Sequence, residues 1–301
     1  MSDVYGIPDE YRSAYLEALL RFEGAAGVTG IDVGFIPDTQ EGNDATRIGV
    51  RVHVRDERAL EPVLPKNIDS VEVYKAQAVY EWQTGLIASV AMPPRFRRYD
   101  PMTPGIAVAR EASPPGTLGA FVYDTKGRPC LLGAAHVLGE AKNNFDVFQP
   151  GAGDGNLVGS VVGSVYGREG DAAVARLKKG RKIDPRQFGT SVVVRKSRPA
   201  ALGDLVEKSG LTTEITFGVV DGIGRYLLAS NWMNGFRIDP APASPFPISD
   251  DGDSGATWYV QGSDIGVGLH VGADTSKAAP QIRAVACHLS RVLDLLKVSL
   301  V

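Results

Sequence analysis

Beyond residue 105 the sequence breaks into short apolar runs fenced by Gly, Asp, Asn and Pro: GIAVAR, TLGAFVYD, PCLLGAAHVL, LVGSVVGSVY, DAAVARL, ITFGVVDGIG, GATWYV, DIGVGLHVGA and RAVACHL. This rhythm constrains the fold more than any other feature of the chain. Runs so short, rich in β-formers and separated by turn residues, read as the strands of an all-β barrel or sandwich. Only the last element, HLSRVLDLLKV, carries apolar residues at helical spacing, and it is expected to close the domain as a C-terminal helix.

The N-terminal third has a different texture. Residues 8–23 read as a helix, with Tyr11, Tyr15, Leu19 and Phe22 on one face, Asp9 and Glu10 in the first turn and Gly24 as the stop. VTGIDVGFI and TRIGVRVHV read as strands joined by the polar loop PDTQEGNDA, DERALEPVLP as a short helix between prolines, and IDSVEVYKAQAVYEW as a return to strand. The order α-β-β-α-β implies a small α+β accessory or regulatory domain at 1–90. The stretch MPPRFRRYDPMTPG then reads as an exposed linker at 91–104, with Arg95 to Tyr99 open to proteolysis and an interaction patch as the alternative. Residues 105–301 remain for the β domain.

Composition narrows the functional classes. Hydrophobic residues make up 44% and charged residues 22%, as in globular proteins with a sizeable core. A net charge of -3 and no basic stripe give no reason to expect nucleic acid or an anionic membrane surface as a partner. There is no signal-peptide apolar core at the N-terminus and no run long enough to span a bilayer, so a cytoplasmic location is expected. Cys130 and Cys287 lie in apolar surroundings. A disulfide and two buried thiols are both open, neither has metal-ligand spacing, and no metal or cofactor is expected. PGAGDGN mimics a phosphate-binding loop but precedes a strand-like run rather than a helix, which argues against nucleotide binding. His53 and His288 have no partner motif and read as structural, as do Trp82, Trp232 and Trp258.

Three segments carry the chemistry. In DDGDSGATW, Gly252-Asp253-Ser254-Gly255 sets a serine between glycines just before a strand, where small neighbours let the backbone bend and aim N–H groups at an oxyanion. A plain turn has the same composition. Asp171 opens DAAVARL and reads, alone, as a strand cap. His136, the only polar side chain in LLGAAHVLG, reads alone as a core imidazole. Their order along the chain changes the balance, because serine acyl transfer needs a nucleophile, a base to take its proton and a carboxylate to orient the base. An α/β-hydrolase would run Ser, Asp, His; this chain runs His, Asp, Ser.

With these segments in place, residues 105 to about 298 resemble the trypsin-like (chymotrypsin-fold) serine proteases of the bacterial type. LLGAAHVL resembles their histidine motif, DAAVARL their aspartate motif and GDSGA their nucleophile motif. GTLGAFVYD, QPGAGDGNLVGSV, KSGLTTEITFGVVDGI and DIGVGLHVGA resemble flanking strands and turns. The resemblance implies two six-stranded β-barrels with the active site between them. It implies Ser254 as nucleophile, His136 as general base, Asp171 as its orienting carboxylate, and the N–H groups of Gly252 and Ser254 as the oxyanion hole. Asp253 would shape the loop through an internal partner. Ile248, Ser249 and His270 fall at substrate-pocket positions. Ile248 stands where trypsin-type enzymes have an aspartate, and GLHVGA resembles the strand of glutamyl endopeptidases whose histidine binds an acidic side chain. Cleavage after apolar or acidic residues is expected, with protein or peptide substrates and a regulatory partner or restraint acting through residues 1–90. The competing reading is a trypsin-fold binding or scaffold protein without activity.

Overall fold

The computed structural model describes residues 2–37, 47–56, 64–83, 93–245, 247–276 and 282–301. Two sheets dominate it. The first has eight strands, all paired antiparallel, and is built mainly from residues 107–177, with the C-terminal strand Val298–Leu300 added beside Ala120–Asp124. Its side chains enclose an apolar core around Ile106, Leu118, Phe121, Leu131, Val147 and Val161.

In the second sheet six strands close on themselves. Leu205–Ser209 pairs with both Thr257–Val260 and Ile215–Leu228, and Ile265–Asp274, Arg283–His288 and Asn231–Pro240 complete the ring. Closure leaves no free strand edge among these six. The helix expected in HLSRVLDLLKV is present as Leu289–Leu296. It buries Leu289, Val292 and Leu293 and ends at Lys297 in a left-handed conformation. It packs over the seam between the sheets, in a core that also holds Cys130, Val174, Leu269 and Cys287. Both cysteines are free and buried.

Residues 12–22 form the expected N-terminal helix, entered through a short 3-10 turn at Asp9–Tyr11. VTGIDVGFI is the strand Val28–Ile36, and Arg47–Val54 pairs with it antiparallel. The loop PDTQEGNDA falls mostly outside the described residues, as does most of DERALEPVLP. The α+β unit expected at 1–90 is joined edge to edge with the second barrel. Val28–Ile36 pairs antiparallel with Ile215–Leu228, from Gly30↔Tyr226 to Gly34↔Gly222, giving one continuous 12-stranded sheet. Ala14, Tyr15 and Phe22 of the helix share a core with Val220, Ile238 and Trp258 of the barrel.

Charged groups are sealed into this seam. Arg51, 2% exposed, donates from Nε and Nη2 to the two oxygens of Asp32 at 2.7 Å each, and from Nη1 to Asp221 at 2.8 Å. Tyr226 donates to Asp32 at 2.9 Å, and His53 Nε2 lies 3.1 Å from the same carboxylate. Asp221 also accepts from Arg237. Charges this deeply buried persist only when paired and hydrogen-bonded.

The proline-rich stretch is less open than its composition suggests. Arg95 is buried, donates to Ser209 Oγ and to the Gly210 carbonyl at 2.7 Å each, and lies over the Phe188 ring. This corrects the expectation of an exposed protease-sensitive site at Arg95: its guanidinium finds acceptors on the barrel strand and is held there. Among the described residues, no helix is long and apolar enough to cross a membrane.

Candidate active site

The strand Pro129–Gly133 stops at two small residues, and the chain then makes one helical turn, Ala135–Leu138. His136 therefore rides on a turn at the sheet's edge rather than on the strand itself. The neighbouring strand Gly170–Leu177 pairs with Pro129–Gly133 at Ala173↔Gly133, which brings Asp171 under that turn. Asp171 is fully buried. One oxygen accepts from the His136 backbone N–H at 2.9 Å and the other is bonded to His136 Nδ1. Burial pulls the His136 pKa down, but the Asp171 charge and hydrogen bond, helped by the Gln83 carbonyl, outweigh it and lift the value above the ordinary range.

Ser254 is held across the two sheets. Thr117, from the first sheet, donates from Oγ1 to the Gly252 carbonyl and from its backbone N–H to the Ser254 carbonyl, each at 2.8 Å. Gly255 has φ +99°, and a Cβ there would meet the Thr117 carbonyl at 2.3 Å, so only glycine lets the loop approach this closely. Gly252 has φ +97°. Between these glycines Asp253 points inward, as expected, to an internal partner. Lys208 Nζ lies 3.0 Å from it, and the Thr212 and Thr213 N–H groups and Thr213 Oγ1 donate to it. Burial raises the Asp253 pKa, yet the Lys208 ammonium and these donors win and hold the carboxyl below its usual range. Lys208 was not anticipated; its only signal is a lysine in the otherwise strand-like LVEKS.

Ser254 Oγ does not reach His136 directly. It donates to the backbone carbonyl of Gln83 at 2.6 Å, and His136 Nε2 sits 3.1 Å from the same oxygen. Gln83 continues the strand Tyr80–Trp82, which pairs antiparallel with Ile265–Asp274. Gln83 and Trp82 are the site residues that sequence reasoning missed. Trp82, expected as packing, places its ring 5.2 Å from His136 and 6.0 Å from Tyr166.

The pocket positions divide. Ile248 is part of the apolar core with Val220 and Ile238, and its carbonyl accepts from Thr216 at 2.8 Å. Ser249 is buried, and its Oγ has no hydrogen-bond partner among the described residues. His270 is fully buried; its Nδ1 accepts from Trp258 Nε1 at 3.3 Å, so Nε2 carries the proton and donates to the side-chain oxygen of Gln83. Burial, reinforced by the nearby Lys208 cation, drives the His270 pKa down to about 3. His53 and His288 are buried away from these groups, the latter against the rings of Tyr5 and Phe236. Among the described residues no group of three or more His, Cys, Asp or Glu is placed to hold a metal ion.

Solved structures share this arrangement of sheets. Protease A of Thermobifida fusca matches with a TM-score of 0.53 and 21% identity over 66% of this chain and 99% of its own. The fold is that of the trypsin-like serine proteases. A glutamic acid-specific serine protease, described as using a novel histidine triad in substrate binding, matches at TM-score 0.52 and 20% identity, covering 66% of this chain and all of its own (100%). The chymotrypsin of Cellulomonas bogoriensis gives 0.51 and 17%, over 67% and 99%. No protein-family model matches the sequence, and no curated protein is similar to it. In trypsin-like terms, His136 and Asp171 come from the first sheet, while Ser254 stands on the loop before Thr257–Val260 of the second.

Proposed function

We propose that this protein is a serine endopeptidase. Ser254 Oγ attacks a substrate carbonyl while His136 Nε2 takes its proton; Asp171 fixes the His136 tautomer and stabilises the imidazolium. The N–H groups of Gly252 and Ser254 receive the oxyanion, a contribution of about 2.7–4 kcal/mol per donor in such sites. His136 then returns the proton to the leaving amine, and water repeats the sequence on the acyl-enzyme. The observation that carries this reading is the meeting of His136, bonded to buried Asp171, and Ser254 at one carbonyl oxygen.

Substrates are proteins or peptides cleaved after acidic or apolar residues. An uncharged His270 offers nothing to a lysine or arginine, and Ile248, turned into the core, supplies no carboxylate in place of the trypsin-type aspartate. Residues 1–90 restrain or target the activity, and a regulatory partner would act through them. A fluorophosphonate probe tests the assignment: it labels the wild-type chain and not Ser254→Ala. One observation favours the competing scaffold reading, namely that Ser254 Oγ is bonded to Gln83 rather than to His136. Absence of labelling both in the full-length chain and in a shortened chain starting near residue 100 would support that reading and remove the enzyme.

A further inference from the structure

An oxyanion hole works only if its N–H groups point at the right place, and the carbonyls of the nucleophile loop decide where they point. In a planar trans peptide the C=O and N–H are antiparallel, so fixing the oxygen fixes the hydrogen. The Gly252 N–H belongs to the peptide whose carbonyl is that of Asp251. Thr212 Oγ1 donates to this carbonyl at 2.5 Å. On the next peptide the Gly252 carbonyl accepts from Thr117 Oγ1, and further on the Ser254 carbonyl accepts from the Thr117 N–H. Neither the Gly252 N–H nor the Ser254 N–H donates to an acceptor among the described residues, so both stay open to an oxyanion.

Thr212 is itself held in place. It lies in the turn after the strand Leu205–Ser209, and its own N–H donates to Asp253 at 2.9 Å. On one side the Leu211 N–H donates to Thr117 Oγ1 at 2.9 Å, and on the other the Thr213 N–H and hydroxyl are bonded to Asp253. Gly210 opens this turn so close to the loop that a Cβ would stand 2.3 Å from Asp253 Oδ1. The proline-rich stretch grips the same turn. Arg95, 3% exposed, donates from Nη1 to the Gly210 carbonyl and to Ser209 Oγ at 2.7 Å each, and Ser209 Oγ donates onward to the Phe188 carbonyl at 2.8 Å. Hydrogen bonds from a charged donor are about twice as strong as neutral ones. The Arg95 carbonyl accepts from the Ala107 N–H at 3.4 Å, so backbone and side chain are both fixed. One line of contacts thus runs from Arg95 through Gly210 and Thr212 to the Asp251 carbonyl and the Gly252 N–H.

Resting on the serine-endopeptidase reading, we propose that Thr212 is a positioning residue of the oxyanion hole, and that Arg95 makes the hole depend on the docked stretch 93–100. Without the Thr212 hydroxyl the Asp251–Gly252 peptide loses the group that sets its plane. Its N–H then swings away from the oxyanion while the rest of the loop stays held, since Asp253 keeps Lys208 and Thr213. Loss of Arg95 slackens the turn that carries Thr212 and so acts on the same peptide. The effect falls on the transition state, because this donor matters most once the substrate oxygen becomes charged. Neither side chain touches the substrate; both act through the Gly252 N–H.

The test uses the full-length chain as wild type, Thr212→Val, Thr212→Ser, Arg95→Met and the double variant Arg95→Met/Thr212→Val, each checked for folding by urea unfolding. Two rates are read: steady-state hydrolysis of coumarin peptides ending in Glu or Phe, and fluorophosphonate labelling, whose phosphonyl oxygen enters the hole. Thr212→Val should lower kcat about 10–100-fold with KM within about twofold, somewhat less than the loss of a whole donor. Labelling should slow by a similar factor, whereas Thr212→Ser keeps the hydroxyl and should stay within about threefold of wild type. Arg95→Met should lower kcat roughly tenfold, and the double variant should be no slower than Thr212→Val, because both changes act on one peptide. A Thr212→Val chain with wild-type kcat overturns the proposal, as does a loss that Thr212→Ser shares or one that appears in KM. Losses that multiply in the double variant overturn the link to Arg95. Where Thr212→Val does not fold, Arg95→Met carries the test, and a wild-type kcat there overturns the proposal. In each of these cases a wild-type chain that labels at Ser254 leaves the protease reading standing. If labelling fails as set out for that reading, both fall.

Discussion

His136 and His270 both reach Gln83, the first at its backbone oxygen and the second at its side-chain oxygen. His136 sits on a single helical turn at the rim of the first sheet, 14% exposed, with a buried carboxylate at Nδ1. His270 lies inside a strand of the second barrel, fully buried, with an indole N–H at Nδ1. The partner on the far nitrogen decides what each ring can do. Asp171 makes His136 a better proton acceptor, whereas burial and the Lys208 cation keep His270 neutral and Trp258 at Nδ1 fixes it as a donor. One ring can move a proton; the other can only hold an oxygen.

Exchanging the carboxylate for an amide breaks the comparison most severely. In Asp171→Asn the amide N–H faces Nδ1 and imposes the wrong tautomer, so His136 can no longer accept from Ser254. A fall on the order of 10⁴ in kcat is expected, with KM little changed. Steady-state kinetics on the best peptide check it, and a loss below tenfold would mean that Asp171 is not the orienting group. Next comes the charge beneath the pocket. Lys208→Met leaves Asp253 ionised, buried and unpaired, a change that costs about 3–5 kcal/mol when one partner of a buried pair is removed. Urea unfolding should show this, and Lys208→Met combined with Asp253→Asn should recover part of it. If the single variant is as stable as wild type, the pair does not hold the nucleophile loop.

The elements that make this comparison possible were unevenly legible in the sequence. The β class, the C-terminal helix and the order His136, Asp171, Ser254 follow from local patterns: strand-length apolar runs, a helical period and a glycine-flanked serine; closure into a barrel rather than a sandwich was implied only by the family resemblance. Asp253 was expected to find an internal partner, but Lys208 was not identified, because a pattern along one strand does not show which residue of another strand it faces. Gln83 and Trp82 were passed over for a stronger reason. Nothing local marks YEWQ as a segment that leaves one sheet and lies along another. That information resides in the seam, where Val28–Ile36 docks on Ile215–Leu228 and carries the segment with it. Arg95 was misjudged in the same way, since the acceptors that bury it lie on the strand Leu205–Ser209 and at Gly210.

A smaller effect sharpens the comparison at the pocket. His270→Leu removes the donor to Gln83 Oε1 while leaving His136, Asp171 and Ser254 in place. Preference for Glu over Ala on the acyl side should fall roughly 10–100-fold, with hydrolysis of an Ala peptide nearly unchanged. An equal loss on both peptides would show that His270 supports the catalytic loop rather than reading the substrate.

The smallest effect concerns pH, where the two histidines pull in opposite directions. His136 binds its proton more tightly when folded, so its stabilisation is complete below about 6.5 and is lost as pH rises through its elevated value. Its neutral form is the base, so activity should rise with pH through a midpoint above 6.5. For His270, depressed to about 3 from 6.5, the unfolded chain binds the proton that the folded chain refuses across that window. Its stabilisation is therefore complete above 6.5 and is lost as pH falls toward 3. Burial sets this first; Lys208 and His136 also oppose protonation, and Asp253 favours it but is neutralised by Lys208, while Trp258 only fixes the tautomer. His288, buried and also depressed to about 3, adds to the same slope. Melting temperature measured at pH 7.5 and 5.0 should drop less in His270→Gln than in wild type, by about 2–4 °C for a domain of this size. An identical drop in both would mean that His270 is protonated in the folded protein and is not the neutral donor that the Gln83 contact requires.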